Sequence, residues 1–244
     1  MTKIGIAGYG EVGQALGKVY STNNIDFAIQ DKYKQIDDNF ENIVILNICL
    51  PFIEKNSFVS IVEEYINNST NLIIIHSTIG LGVVEKLKEK YPSLYIVHSP
   101  LRGVHPNLYE GLMKFKKFIG GDLESCKVAN KHLSSLGMNT VITDSKTAVL
   151  SKLFSTTYYG LCIAFTEEMG QICDQVGANF EDIIDWNKDY NETYTKLGKQ
   201  NVSRPILYRI PDKKIGGHCV VPNARILKNL FPNRNVFDLI LKYS

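Results

Sequence analysis

Lys3-Ile4-Gly5-Ile6-Ala7, followed by Gly8-Tyr9-Gly10-Glu11-Val12-Gly13, is the stretch that decides the fold of this chain. The first part is a short apolar strand, and the residues after Gly13 repeat apolar side chains at helical spacing. A GxGxxG motif between a strand and a helix is typical of a dinucleotide site. In that motif Gly8 makes the turn, Gly10 lets the backbone approach a pyrophosphate, and Gly13 allows close helix packing.

A second strand over residues 27–30 ends at Asp31. An acid at this place suits the ribose 2′-hydroxyl of NAD and repels the 2′-phosphate of NADP. Lys32 beside it keeps NADP open, and a solvated strand end is the other interpretation of Asp31. The predicted cofactor is NAD.

The rest of the first half alternates strands and helices. Apolar runs over 43–50, 72–75, 94–97, 115–119 and 140–142 are separated by helical patterns over 57–66, 83–90 and 126–136. This alternation predicts an α/β fold with a doubly wound parallel sheet of the Rossmann type. We expect residues 1–144 to form the NAD-binding domain and residues 145–244 a helical dimerisation and active-site domain.

A long helix is predicted over residues 145–176, with Asp144 or Ser145 as its N-cap and Gly177 as its stop. Its apolar residues lie nearly all round, which predicts burial on every side. Because 244 residues leave little chain to cover it, we expect a homodimer packed through this helix. Shorter helices are predicted over 181–185, 190–199, 224–230 and 236–242.

Composition excludes several classes. Hydrophobic residues make up 44% and charged residues 21%, with a net charge of +2, so nucleic-acid binding has no electrostatic support. The five cysteines are scattered, which indicates reduced thiols and a cytoplasmic protein. The start of the chain lacks a signal-peptide pattern, and we expect no membrane partner. His76, His98 and His105 match no metal-ligand spacing, so no metal is expected.

The second chemical motif is Ile215-Gly216-Gly217-His218-Cys219. Two glycines before a thiol are usually a turn and a small buried side chain. After a dinucleotide motif, the same residues suit a loop that brings a nucleophile to an aldehyde.

The order of these motifs resembles that of the nucleotide-sugar 6-dehydrogenases, the UDP-glucose, GDP-mannose and UDP-N-acetylmannosamine dehydrogenase family. The matching elements are the GYGEVG loop, Asp31, Leu50-Pro51, Ser77-Thr78, Ser99-Pro100-Leu101-Arg102, Lys152, Glu168 and IGGHC.

The resemblance implies an NAD-dependent oxidation of a sugar or nucleotide-sugar hydroxyl. It makes Cys219 the nucleophile and Lys152 the oxyanion or proton partner, with Thr156 at the position of a family Asn. It places Thr78 by the nicotinamide. The full predicted cofactor set is Gly8, Gly10, Glu11, Val12, Gly13, Asp31, Lys32, Leu50, Pro51, Ser77 and Thr78. Candidate substrate residues are Arg102, His218, Gly216 and Gly217, with a surface role for Arg102 left equally open.

The chain also departs from the family pattern. Leu101 stands where the family has a catalytic Glu, and Asn223 where it has an Asp. We further expect the C-terminal nucleotide-binding domain to be missing. Four interpretations stay open: oxidation that stops after one hydride transfer, full oxidation to the acid with another base, a non-catalytic NAD-binding remnant, and a 3-hydroxyacid, 6-phosphogluconate or prephenate type of dehydrogenase.

Overall fold

The computed structural model describes residues 3–103, 106–210, 212 and 214–244. His105 therefore lies outside the described residues. The chain divides into two compact units, Met1–Lys152 and Leu153–Ser244. The division falls after residue 152 rather than after residue 144, because the first turns of the long helix pack on the sheet: a Cβ at Gly120 would lie 2.5 Å from the Cβ of Ala148.

The first unit is built on one sheet, which has eight strands among the described residues. The strands are β1 (Ile4–Ala7), β2 (Ala28–Asp31), β3 (Ile36–Asp37), β4 (Ile45–Ile48), β5 (Leu72–Ile75), β6 (Tyr95–His98), β7 (Lys117–Gly120) and β8 (Thr140–Thr143). Their order across the sheet is β3-β2-β1-β4-β5-β6-β7-β8. The Rossmann-type α/β fold is confirmed. The fully buried IGIA and LIII runs of β1 and β5 are what a sheet covered on both faces requires.

Two neighbouring strand pairs are not parallel. β3 runs antiparallel to β2, and β7 runs antiparallel to β6 through the pair His98 and Gly120. β8 is parallel to β7, so the last two strands run against the five parallel strands β1, β2, β4, β5 and β6. The predicted doubly wound parallel sheet is therefore present as a mostly parallel one, with one antiparallel pair towards each side.

Five helices of this unit connect the strands in the described part of the chain. They are α1 (Glu11–Thr22), α2 (Lys55–Glu63), α3 (Val83–Lys90), α4 (Leu108–Lys114) and α5 (Leu123–Ser135). The short α4 and the two-residue β3 were not predicted. The core between sheet and helices includes Ile6, Leu16, Ile74, Val97 and Leu133, all almost fully buried.

The order in which strands are added to the sheet reverses between β1 and β4. From β1 the chain goes to β2 on one side, and it later returns to β4 on the other side of β1. Open α/β sheets bind ligands at such a reversal, beyond the carboxyl ends of the strands. The loops that follow β1 and β4 therefore define the expected cofactor position.

The long helix α6 runs over Ser145–Val176 as predicted. The Asp144 side chain accepts the Thr147 N–H at 2.9 Å, and Gly177 adopts a φ of +77°, so the predicted N-cap and stop are confirmed. Burial on every side is wrong for the single chain. Large apolar side chains stay exposed on this helix: Phe154, Tyr158, Tyr159, Phe165, Ile172 and Val176. Dimerisation through α6 stays a prediction.

α6 also has the length and composition of a membrane-crossing helix, with a mean hydropathy of 1.2 over its most apolar window. One third of that window (33%) is buried in this chain. Core helices of soluble proteins satisfy the same two criteria, so this property alone assigns no membrane role.

The second unit continues with helices. α7 (Phe180–Lys196) is a single helix where two short ones were predicted, capped by Asn179, whose side chain accepts the Glu181 N–H at 3.0 Å. α8 (Val220–Leu230) follows the IGGHC loop, and a 3₁₀ turn (Asn235–Phe237) leads into α9 (Asp238–Leu241). Within this unit, a core that includes Ala164, Val220, Ala224 and Ile240 joins α6, α8 and α9.

Candidate active site

The glycine-rich loop is closed tightly against its neighbours. A Cβ at Gly8 would lie 2.7 Å from the Cys49 carbonyl oxygen, and one at Gly13 only 2.1 Å from the Gly8 oxygen. Gly8 has a φ of +87°, which glycine adopts freely. A Cβ at Gly10 would meet no described atom within 4 Å. Of the three glycines in this loop, Gly10 is thus the one with space beside it, as expected where a ligand approaches the backbone.

α1 begins immediately after this loop, with Glu11 exposed and Val12 half-buried in its first turn. Gly10 is the N-cap, and no described side chain caps this end. The positive end of the helix dipole at such a position favours a phosphate.

Asp31 is held by the same loop. Its carboxylate accepts the Tyr9 N–H at 2.6 Å and the Lys34 N–H at 2.9 Å. Burial alone would raise the pKa of Asp31, but the N–H groups of Tyr9, Lys34 and Tyr33 outweigh burial and lower it. The group is therefore an anion at neutral pH, and a carboxylate with two such bonds has lone pairs left for a ribose hydroxyl.

Lys32 is engaged by an acid of its own. Its ammonium lies 2.6 Å from a Glu64 carboxylate oxygen, and both side chains are exposed. An amine paired with an acid is less suited to bind the 2′-phosphate of NADP.

The remaining predicted cofactor residues follow β4 and β5. Leu50 and Thr78 are half-buried, Pro51 is exposed, and Ser77 is buried with its hydroxyl 3.4 Å from the Ile48 carbonyl oxygen. Because β1, β4 and β5 are parallel, these residues lie at the same edge of the sheet as the glycine-rich loop.

Lys152, the predicted catalytic amine, lies in the first unit on α6. Its Nζ donates to the Leu101 carbonyl oxygen at 3.0 Å. The Leu101 side chain is buried in the core, so it offers nothing to activate water. Thr156, one helical turn after Lys152, is half-buried and belongs to the second unit.

Arg102, a candidate substrate residue, is exposed and has its guanidinium 4.9 Å from the centre of the Phe115 ring. Stacking on an aromatic ring leaves the N–H groups at its edge able to bind an anion.

Cys219 lies in the second unit, as the N-cap residue of α8. Its side chain is half-buried, while Gly216, Gly217 and His218 are exposed. The loop is anchored at its start, where the Ile215 N–H donates to the Tyr243 carbonyl oxygen at 2.7 Å. The positive end of the helix dipole favours an anionic group at this N-terminus.

Two further positions from the family comparison, the matching Glu168 and the departing Asn223, lie in this unit. Glu168 accepts hydrogen bonds from Lys242 and from the Tyr243 hydroxyl. Asn223 is buried, and its side-chain nitrogen has no hydrogen-bond partner among the described residues. The predicted site residues thus fall into two groups, the cofactor residues with Lys152 and Arg102 in one unit and Cys219 with Thr156 and the loop in the other.

Sequence reasoning missed one functional candidate, Lys117. Its ammonium is buried, donates to the Ser99 carbonyl oxygen at 2.6 Å, and lies 3.1 Å from Nδ1 of His76. Burial lowers the pKa of Lys117 to about 7. A lysine beside an apolar strand is normally solvated, so the residue type alone gave no signal.

His76 has both ring nitrogens engaged, by Lys117 and by Asn47. No group of three or more metal-ligating side chains occurs in the described part of the chain. Burial lowers the pKa of His98 to about 3, and its ring binds the Ser77 carbonyl oxygen at 3.0 Å. Both histidines are therefore neutral parts of the interior.

Comparison with known proteins adds to this geometry. Residues 146–242 match the family model of the UDP-glucose/GDP-mannose dehydrogenase family, central domain. The UDP-N-acetyl-D-mannosamine dehydrogenase of Methanocaldococcus jannaschii is 28% identical over 170 residues, which cover 68% of this chain and 36% of the relative. The enzyme of the same name from Methanococcus maripaludis is 31% identical over 153 residues, covering 62% of this chain and 33% of the relative.

Among solved structures, the UDP-D-ManNAc dehydrogenase of Pyrococcus horikoshii aligns with a TM-score of 0.77 at 18% identity, covering 98% of this chain and 68% of that one. At this identity the likeness supports the fold alone. The matched region covers only about a third of the curated relatives' length, 36% and 33%.

Proposed function

Because residues 146–242 match the UDP-glucose/GDP-mannose dehydrogenase family model, we propose that the chain is an NAD-dependent dehydrogenase that oxidises a hydroxyl group of a sugar or nucleotide sugar. The observation that carries the proposal is the glycine-rich loop, closed against β4 yet open at Gly10, with the Asp31 carboxylate bound to it. This arrangement fits a dinucleotide: Gly10 and the start of α1 would hold the phosphates, and Asp31 a ribose.

The chemistry divides between the cofactor and the chain. Bound NAD supplies a hydride acceptor for the carbon that carries the hydroxyl group. Lys152, as an ammonium group, stabilises the negative charge that develops on the substrate oxygen. Thr156 and Thr78 donate hydrogen bonds that orient the substrate and the cofactor.

Cys219 captures the aldehyde formed by the first oxidation. Its thiolate adds to the carbonyl carbon to form a C–S bond, and the carbonyl oxygen takes up a proton to give a thiohemiacetal. Arg102, His218 and the exposed glycines of the loop contact the substrate.

We propose further that turnover stops at the aldehyde. Hydrolysis of an acyl–cysteine needs a group that activates water, and the buried hydrocarbon of Leu101 and the neutral amide of Asn223 cannot do so. The thiohemiacetal instead reverts: its hydroxyl group loses its proton, the C–S bond breaks to return the Cys219 thiolate, and the aldehyde leaves after one hydride transfer.

NADH formation with a panel of nucleotide sugars, sugar phosphates and hydroxy acids tests the activity. We expect turnover with a nucleotide sugar and one NADH per sugar consumed. Two NADH per sugar would contradict the early stop. NAD binding without turnover on any substrate would identify a non-catalytic remnant instead.

Two variants test the role of the nucleophile. Cys219→Ala should lose aldehyde capture, measured by mass spectrometry of the enzyme with an aldehyde analogue, while Cys162→Ala serves as the matched half-buried cysteine control. Equal adduct formation in Cys219→Ala and the parent protein would remove the covalent role.

We propose a cytoplasmic homodimer, and the exposed apolar face of α6 supports the dimer. Phe165 is 58% exposed and Tyr158 is 65% exposed, and a second copy of the same helix would remove them from water. Phe165→Glu should yield a monomer in analytical ultracentrifugation, whereas Tyr33→Glu, at a 93% exposed aromatic outside this face, should leave the dimer intact. A parent protein that sediments as a monomer, or that partitions into lipid vesicles, would contradict the assignment.

A further inference from the structure

A buried amine lies at the carboxyl edge of the sheet, outside the predicted catalytic set. Lys117 is 3% exposed although it carries a side chain that almost always reaches water. The groups that interact electrostatically with it are Cys49, His76, His98 and Lys152, and none of these described neighbours is a carboxylate. Burying an ammonium group without an anion destabilises the fold, so the position calls for another explanation.

The reversed direction of β7 brings Lys117 to this edge. β6 and β7 are antiparallel at the pair His98 and Gly120, so the start of β7 lies beyond the carboxyl end of β6. There the ammonium donates to the Ser99 carbonyl oxygen at 2.6 Å. The Ser99 hydroxyl donates to the Phe118 carbonyl oxygen at 2.8 Å, so strand and loop are joined twice.

A chain of hydrogen bonds holds the amine from the other side. While Lys117 is protonated it can only donate, so Nδ1 of His76 accepts and the His76 Nε2–H donates to the Asn47 amide oxygen at 3.0 Å. The Asn47 amide nitrogen donates to the Tyr20 hydroxyl at 3.0 Å, and that hydroxyl is left to donate to His132 at 2.9 Å.

This series of hydrogen bonds fixes the orientation of the Lys117 amine and does not conduct protons. A carboxamide such as Asn47 accepts at one atom and donates at another without exchanging its proton readily, so proton transfer stops there. Burial, followed by the charge of Lys117, lowers the pKa of His76 well below its ordinary value, which keeps the ring neutral. Lys117 is thus held in one place by groups that remain uncharged.

Lys117 and Lys152 both donate hydrogen bonds to carbonyl groups of the same loop. Nζ of Lys152 donates to the Leu101 carbonyl oxygen, two residues after the Ser99 carbonyl that binds Lys117. Pro100 between them is buried. Two amines therefore share one short, stiff segment, and each feels the charge of the other.

We propose that Lys117 is a positioning residue for Lys152: it clamps residues 99–101 and so fixes the carbonyl that holds the Lys152 amine, and its protonation state is transmitted to that amine. The proposal rests on the catalytic role proposed above for Lys152, but the coupling of the two amines can be measured without turnover.

The direct test is the titration of Lys152, followed by NMR on the full chain labelled at lysine. In the parent protein the Lys152 signal should move in two steps, one of them near the pKa of about 7 of Lys117. In Lys117→Met the step near neutral pH should vanish while the alkaline step of Lys152 itself stays, because the charge that caused the first step is gone and Lys117 is already neutral when Lys152 titrates. A single unchanged step in both proteins would overturn the proposal.

The kinetic test uses the same variants. In Lys117→Met, kcat should fall by roughly tenfold to a hundredfold with little change in KM for NAD, and Lys117→Arg should recover part of it. Ser125→Ala, a buried serine of α5 that accepts the Ile96 N–H at 3.2 Å, controls for general loosening. An unchanged pH profile of kcat in a folded Lys117→Met would contradict the proposal.

The two tests separate two failures. If no substrate turns over but the Lys152 titration has two steps, the proposed activity fails and the coupling stands. If Lys117→Met does not fold, the titration of the parent protein decides alone, since a single step there removes the coupling.

Discussion

The two glycine loops of this chain are built in opposite ways. The loop after β1 is closed: added Cβ atoms at Gly8 and Gly13 would strike backbone oxygens, and Asp31 binds the Tyr9 N–H. The loop before Cys219 is open, because a Cβ at Gly216 or Gly217 would meet no described atom within 4 Å. The first loop is thus held by close contacts at its glycines, whereas the second has space beside both of its glycines among the described residues.

The largest expected effect on stability comes from a substitution in the closed loop. Gly13→Ala places a Cβ 2.1 Å from the Gly8 oxygen, so we expect a loss of more than about 4 kcal/mol in the free energy of unfolding, measured by urea denaturation. Gly216→Ala is the matched change in the open loop and should cost less than about 1 kcal/mol. Similar losses in the two variants would remove the contrast.

The second prediction concerns the buried amine of Lys117 and the pH dependence of stability. Burial lowers the pKa of Lys117 from 10.5 to about 7, so between these values the unfolded chain binds more protons and stability rises with pH. Up to about 5 kcal/mol is gained across this window, and this gain is absent in Lys117→Met.

The measurement is the difference in unfolding free energy between the parent protein and Lys117→Met at several pH values. That difference cancels the titrating groups that do not interact with Lys117. Cys49 does interact with it, but burial raises the pKa of Cys49 to about 12, so the comparison is kept well below that pH. A difference that does not vary between neutral and alkaline pH would contradict the buried charge.

The third prediction concerns the segment that precedes the open loop. The irregular chain that leads to Cys219 is anchored at Arg209, which lies 3.0 Å from the buried Glu167 carboxylate. Arg209→Met leaves that carboxylate buried without its cation, so Tm at neutral pH should fall by roughly 5 to 10 °C.

The pH dependence of that loss has a definite sign. Burial raises the pKa of Glu167, but Arg209 and Gln171 outweigh burial and lower it. The stabilisation is present above the ordinary carboxyl range and is lost as pH falls through the lowered pKa. The Tm difference between parent and Arg209→Met should therefore narrow in acid, and a gap that widens there would exclude this ion pair as the cause.

The smallest effect is expected at Lys32. Because its ion pair with Glu64 is exposed, Lys32→Ala should leave Tm and NAD affinity unchanged in calorimetry. Asp31→Ala, the neighbouring change, should weaken NAD binding at least roughly tenfold, because it also frees the Tyr9 N–H. A loss of affinity in Lys32→Ala would give this lysine a cofactor role after all.

Features with strong local patterns could be predicted from the sequence. The glycine-rich loop lies between a strand and a helix as predicted, and α6 has the predicted ends because Asp144 and Gly177 are strong boundary residues. α7 was predicted as two helices with a break over residues 186–189, yet no Pro or Gly interrupts this stretch and the helix continues.

Strand direction was the main gap. A four-residue apolar run carries no mark of its direction, so β7 was placed parallel to its neighbours. In that orientation Lys117 would begin at the far edge of the sheet, away from the glycine loop, and nothing would connect it with Lys152. Burial of Lys117 likewise depends on contacts with His76 and Ser99, which are distant in the chain.

The reversed direction of β7 determines which of its side chains can reach the ligand-binding edge of the sheet. Parallel strands reach their ligand edge only with the residues that end them, and those are the residues of loops. A reversed strand meets the same edge with its first residue, which is pinned by a backbone hydrogen bond from Lys117 to Asn139 at 2.6 Å. An engineer who wished to add a fixed cation to a dinucleotide fold could therefore turn one strand around instead of lengthening a loop.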